Sequence, residues 1–247
     1  MKTLYFDCFS GISGDMTIGA LVDAGVAPDI IELELRKLDI ESEYRLEWTK
    51  VVKNDISATK FDVHLTEEQR TEDSHHHHRH HADIVHMIKS AGFEDKVRDT
   101  ALSIFEKIGR AEAKIHDIPF EKVHFHEVGA IDSIVDIVGT AIALEQLGVN
   151  QIISSPIPTG SGKIHIDHGI YPVPAPATME ILKGIPLQQT EVKGELTTPT
   201  GAGIIAALVQ SFGAVPSIKV DTVGYGAGTK DFQDHPNVLR VMIGETY

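Results

Sequence analysis

Between Ile131 and Leu147 the chain reads as a helix that is apolar on almost every side: Ile131, Ile134, Val135, Ile137, Val138, Ala141, Ile142, Leu144 and Leu147 leave only a narrow polar stripe. A helix on a protein surface keeps one solvated face, so this one has to lie inside, covered by other layers of structure. Its stripe carries Asp132 and Asp136, four residues apart and therefore on one face. Ionised carboxylates on such a helix are costly unless a cation, an arginine or hydrogen-bond donors answer them. Just upstream, Val123-His124-Phe125-His126 alternates apolar and polar residues, which predicts a strand with both imidazoles on one face, Glu127 at its end and a turn at Gly129. His124, His126, Glu127, Asp132 and Asp136 are thus candidates for a metal site, with Glu127 and Asp132 also candidates for acid–base work. The plainer alternative is an amphipathic helix with its Asp pair in water and two edge-strand histidines.

Helical and strand-like segments alternate along the rest of the chain. Thr3–Phe6 reads as a buried strand, a helix starts at Pro28 and runs through Leu38, and Tyr44–Lys53 pairs with Ser57–Leu65 as a hairpin around Asn54-Asp55. Helices are expected at Ala82–Ala91, Glu94–His116, Met179–Lys183 and Ile204–Gln210, and strands at Gln151–Ser155, Ser217–Val223 and Val238–Ile243, the last two around a flexible glycine loop at Gly224–Asp231. The pattern predicts an α/β fold, a mixed sheet with flanking helices in layers, formed by residues 1–247 as a single domain.

Three loops carry candidate binding groups. In Asp7-Cys8-Phe9-Ser10-Gly11-Ile12-Ser13-Gly14-Asp15, the two aspartates could hold a hard cation such as Mg²⁺ or Mn²⁺, and Gly11, Ser13 and Gly14 could present amides to a phosphate or carboxylate. A Ser13 or Asp15 helix cap with turn glycines explains the same residues. Cys8 reads as a packing residue, with no histidine beside it in sequence to favour a thiolate. Gly160-Ser161-Gly162-Lys163 lacks the spacing of a phosphate-binding Walker loop, yet Lys163 could still meet an anion. Thr198, Thr200 and Gly201 open a helix and are candidates for a ligand phosphate, with a proline first turn and a threonine cap as the alternative.

From residue 66 to 82 the composition turns abruptly polar, and the run His75, His76, His77, His78, Arg79, His80, His81 predicts an inserted, disordered His-rich loop. Clustered imidazoles take Ni²⁺, Zn²⁺, Cu²⁺ and Co²⁺. An affinity tag would produce a similar run at a terminus, whereas this one is internal and broken by Arg79, which favours a native metal-collecting loop.

A formal charge of −14 excludes a broad basic face for nucleic acid or anionic membrane. No apolar run reaches membrane-spanning length, and the single cysteine excludes an internal disulfide, so a cytoplasmic protein is expected.

Five motifs in order, Asp7–Met16, His124–Asp136, Pro172–Thr178, Thr198–Gly201 and Gly224–Asp231, with the His-rich run between the first two, closely resemble the LarC family of nickel insertion proteins across essentially the whole chain. The resemblance implies a cyclometallase that places Ni²⁺ in pyridinium-3,5-bisthiocarboxylic acid mononucleotide, a sulfur-containing pyridinium nucleotide, using CTP and Mn²⁺ or Mg²⁺, to make the nickel-pincer cofactor of lactate racemase. For that job His124 and His126 are assigned to nickel delivery, Glu127 or Asp132 to proton acceptance or coordination, and Asp136 to coordination or support, as hypotheses from the residues themselves. Family members with the whole activity continue into a C-terminal nucleotide-binding region, so this chain is expected to correspond to the N-terminal part and to work with a separate C-terminal half. A homo-oligomer is expected. A nickel metallochaperone or storage protein, and a metal-dependent phosphohydrolase built on Asp7, Asp15, Asp132 and Asp136, are the competing readings.

Overall fold

The computed structural model of the protein describes residues 1–66, 79–123, 131–166 and 169–247. In chain order they form β1 (Lys2–Asp7), α1 (Gly14–Asp23), α2 (Pro28–Leu35), β2 (Tyr44–Lys53), β3 (Ile56–Leu65), α3 (His81–Ser90), α4 (Asp95–Ile115), α5 (Ile131–Leu147), β4 (Gln151–Ser154), β5 (Ile157–Pro158), β6 (Gly160–Ser161), β7 (Lys163–Ile166), β8 (Gly169–Pro172), α6 (Pro176–Ile181), β9 (Leu187–Gln188), β10 (Gly194–Glu195), α7 (Pro199–Leu208), β11 (Ser211–Phe212), β12 (Ile218–Ala227) and β13 (Val238–Thr246).

The fold is α/β, built on a mixed seven-stranded sheet in the order β11-β4-β1-β13-β12-β3-β2. β1 runs parallel to β4 and antiparallel to β13, with Leu4 opposite Ile243 and Phe6 opposite Val241. β2 and β3 form the expected hairpin, and the two residues at its tip, Asn54 and Asp55, both have positive φ, 44° and 65°. That conformation matches the right-handed twist of the flanking strands, and asparagine and aspartate tolerate it better than most residues.

Strand alternation decides which residues meet the helices. Leu4, Phe6, Leu239, Val241 and Ile243 share one core with the helical residues, whereas the intervening Tyr5 and Met242 join Ile153 in a small separate cluster. α1 lies directly on the sheet, against β3, β12 and β13, and α5 lies on α1 and is flanked by α2, α4 and α7. α5 is buried from Ile131 to Leu144 except at Asp132 and Asp136, as its apolar circumference requires. A helix can sit this close to a sheet only if side chains are missing at the crossing. A Cβ at Gly226 would collide with the carbonyl oxygen of Met16, one at Gly224 with that of Ala20, and one at Gly19 with that of Thr59.

The structure corrects several sequence expectations. The segment predicted as a flexible glycine loop begins in fact as the end of β12, with Gly224–Ala227 paired to β13, because those glycines serve the approach of α1. The helix expected to run from Pro28 through Leu38 ends at Leu35 and tightens to a 3-10 turn over Arg36–Leu38. α6 and α7 both start at their prolines, Pro176 and Pro199, earlier than predicted, since proline fits the first turn of a helix at no hydrogen-bond cost. The loop expected over residues 66–82 does not include its outermost residues, which are held by the fold. Thr66 donates its amide to the Glu43 carbonyl at 3.0 Å, Arg79 pairs with the Glu43 carboxylate at 2.7 Å, His80 caps α3 and His81 is its first residue. His75, His76, His77 and His78 lie outside the described residues.

Candidate functional site

Two loops are stitched together beside the sheet. Gly11, at φ 81°, turns the chain after β1 in a left-handed conformation with its amide on the Cys8 carbonyl at 2.8 Å; a side chain there would strike the Leu196 carbonyl. Ile12 then donates to Leu196 at 3.1 Å and accepts from the Thr198 amide at 3.1 Å, a parallel bridge that sets the starts of α1 and α7 side by side. Each start is capped by its own hydroxyl: Ser13 Oγ accepts from the Met16 amide at 3.4 Å and Thr198 Oγ1 from the Gly201 amide at 3.2 Å. The capping alternatives weighed for both motifs are therefore realised, at the rim of a shared cleft. Gly201 itself packs on the Ile12 carbonyl, where a Cβ would not fit.

The cleft encloses about 370 Å³ and is lined by Ser13, Gly14, Asp15, Lys60, Asp62, Asp132, Asp136, Glu195, Thr198 and Thr200, among others. α5 enters it beside the first turn of α1. Asp136 lies against Gly14, whose missing side chain makes the room. Among the described residues its Oδ1 is buried without a hydrogen-bond partner. Burial, then the charges of Asp15 and Asp132, hold the Asp136 carboxyl well above the usual carboxylate range. Asp132 opens to water from within the cleft but is surrounded by protein, and burial again raises its pKa, against the pull of the Ser133 amide it accepts from at 2.8 Å. Opposite them, Asp15 takes the Ser13 hydroxyl and the Lys60 ammonium, the latter at 3.0 Å.

Other predicted residues stand elsewhere. Asp7 does not line this cleft: it accepts from Arg240 Nε at 2.9 Å and borders a different cavity with Phe9, Tyr225 and Val238, so Asp7 and Asp15 form no common cation site. Lys163 is exposed on β7, paired with Pro172, and also lies off the cleft. His81 rests on the Phe120 ring, 4.4 Å between centroids, and burial lowers its pKa; it belongs to a helix start and not to a loop. His124, His126 and Glu127 fall outside the described residues, as does the strand expected there. Among the described residues no three His, Cys, Asp or Glu side chains are arranged to hold a metal ion. Sequence reasoning missed Lys60 and Asp62, whose only signal was polar alternation along a strand.

Cys8 is buried, near Ser154 Oγ at 3.5 Å, and burial pushes its thiol up to about 12. A thiol held protonated is a poor nucleophile. Iodoacetamide at pH 8 is therefore expected to label the native protein at least about 100-fold more slowly than the urea-unfolded chain, a difference measurable by mass spectrometry; native labelling at the unfolded rate would contradict this burial.

The model of the family described as nickel insertion protein matches residues 4–247. The chain belongs to the nickel insertion protein family. It is 59% identical over 99% of its length to a protein of Geobacillus kaustophilus, and 54% identical over 98% to one of Staphylococcus epidermidis, both named pyridinium-3,5-bisthiocarboxylic acid mononucleotide nickel insertion protein. It spans 60% and 59% of the length of those two relatives. No solved structure matches the chain. No described helix is long and apolar enough to cross a membrane.

Proposed function

We propose that this chain carries the nickel-inserting site for pyridinium-3,5-bisthiocarboxylic acid mononucleotide, in the CTP-dependent cyclometallation that makes the nickel-pincer cofactor of lactate racemase. The observation that carries the reading is the crowding of Asp15, Asp132 and Asp136 around one cleft, with an oxygen of Asp136 buried and unpartnered among the described residues, in a chain whose relatives are named for that insertion. Such carboxylates are unfavourable alone and favourable beside a cation, and both the ion and the pyridinium ring are cationic.

Nickel is the cargo here. His124, His126 and Glu127 precede α5 in sequence, so they are the donors we assign to its delivery, with Asp132 and Asp136 completing or supporting the set. Soft thiocarboxylate sulfurs on the nucleotide then draw the borderline ion from harder donors. As nickel bonds to the ring carbon, the C–H bond breaks and its proton passes to a carboxylate, Glu127 or Asp132. Mn²⁺ or Mg²⁺, CTP and a separate C-terminal half come with this reading from the resemblance, and a cytoplasmic, self-associating protein is proposed beside it. Asp15 and Asp62 offer the oxygen donors a hard ion takes, although the described donors fall short of a complete set. A phosphohydrolase loses one proposed ligand, since Asp7 is engaged by Arg240.

The test supplies the purified chain, with and without the rest of the relatives' length, with Ni²⁺, the nucleotide, CTP and Mn²⁺, and follows nickel incorporation by mass spectrometry. No nickelated nucleotide in either case would end the proposal. Replacing His75–His78 by serine separates insertion from storage: nickel bound per chain is expected to fall at least about twofold, while insertion at saturating nickel stays within about twofold of wild type. Lost insertion at saturating nickel would make the histidine run the working site instead of the cleft.

A further inference from the structure

Among the described residues lining the cleft, Lys60 is the single cation. It sits in the middle of β3 and is only 7% exposed. An ammonium has three protons to donate, and each has an acceptor: Asp62 Oδ1 at 2.7 Å, the Phe61 carbonyl at 2.9 Å and Asp15 Oδ2 at 3.0 Å. Burial works against this charge, but Asp15 and Asp62 outweigh it and raise the Lys60 pKa, so the side chain is a fixed positive charge. The place is set by the backbone, because the neighbouring Thr59 carbonyl lies against Gly19 of α1. One end of the bridge is thus anchored in the sheet and the other in the first turn of α1. The charge of Asp15 that bears on Asp132 and Asp136 is located by this bridge.

We propose that Lys60 is a positioning residue of the cleft, holding Asp15 and Asp62 as a fixed anionic pair that faces Asp132 and Asp136 and receives the cationic part of the incoming substrate. The proposal rests on the nickel-insertion reading for its chemistry, but not for the positioning itself. Without the ammonium, the two carboxylates turn toward solvent and the cleft loses its defined acceptor geometry, a kind of misplacement that costs rate more than affinity.

Kinetics of the Lys60→Met variant in the nickel-insertion assay, together with its crystal structure, test this. The expected result is a kcat lowered about 100-fold with KM for the nucleotide within about threefold, at least tenfold recovery in Lys60→Arg, and an Asp15→Asn, Lys60→Met double variant no slower than the worse single one. In the crystal, Asp15 and Asp62 are expected to have left their wild-type rotamers. Independent, multiplying losses in the double variant, or an activity that follows only thermal stability, would overturn the proposal. Unmoved carboxylates in the crystal would overturn it whatever the kinetics. If wild type inserts no nickel, the functional reading fails while the crystal still decides the positioning. Lys60→Gln, whose neutral amide ends one atom short of the ammonium position, is judged by the same structural criterion should the methionine variant not fold.

Discussion

Asp136→Asn is expected to give a folded, more stable protein in which nickel insertion is slower by at least about 100-fold. Both effects have one origin. An acid whose folded pKa is raised holds its proton more tightly in the native state than in the unfolded chain. Well below its ordinary value of 3.8 both states are protonated and the residue costs nothing. As pH rises beyond that value toward the raised one, the native state pays for an unanswered charge and stability falls. Asparagine fills the same space beside Gly14 and is neutral throughout, so the gap between variant and wild type opens as pH increases and then levels off. At pH 7 it should reach about 2 kcal/mol, the order expected for an unsatisfied buried polar group. Urea titrations from pH 4 to 8 measure it. A variant less stable than wild type at pH 7, or a gap independent of pH, would show that Asp136 is answered by protein donors and is not waiting for a cation.

A second large effect lies in the sheet. Gly226→Ala puts a methyl group into the Met16 carbonyl, an atom of helix backbone that no rotamer change can move aside. Either α1 lifts from β12 or the strand bends, and both strain the core that contains Ile18 and Leu21. Overpacking against backbone is expected to cost about 3 kcal/mol, which for a domain of this size lowers Tm by roughly 10 °C. Calorimetry of the variant checks this. Because α1 carries Asp15, insertion activity should fall with it, and a variant with unchanged Tm would mean that the helix is not seated as described.

Much of this architecture could be read before the structure was seen, for reasons visible in single residues. The circumference of α5 admitted no surface location. The hairpin followed from two alternating runs with Asn54-Asp55 between them. Asp15, Asp132 and Asp136 were all named, and they do meet at one cleft. Asp7 and Asp15 were misjudged as partners because one loop contains both. The first ends a strand, on the same side as Tyr5, and the second starts a helix on the other side. Lys60 escaped notice because Lys60, Asp62 and His64 alternate with Phe61 and Val63 in the manner of any half-solvated strand; what sets the first of them apart is its bond to Asp15, in the first turn of a helix forty-five residues earlier. Gly224 and Gly226 were read as loop because glycine marks a turn and a close approach with the same letter, and the contact that decides between them is more than two hundred residues away in sequence.

α5 is buried from Ile137 to Leu144 among α1, α2, α4 and α7 and meets the cleft with its first two turns. Such a rod behaves as a ruler: it can report a distance but cannot bend to a new one. An ion that travels from oxygen and nitrogen donors to sulfur and carbon changes its bond lengths and its preferred angles on the way. With the carboxylates fixed at their stations, that adjustment falls to whatever approaches them, and molecules too stiff or too bulky to make it are turned away by geometry alone.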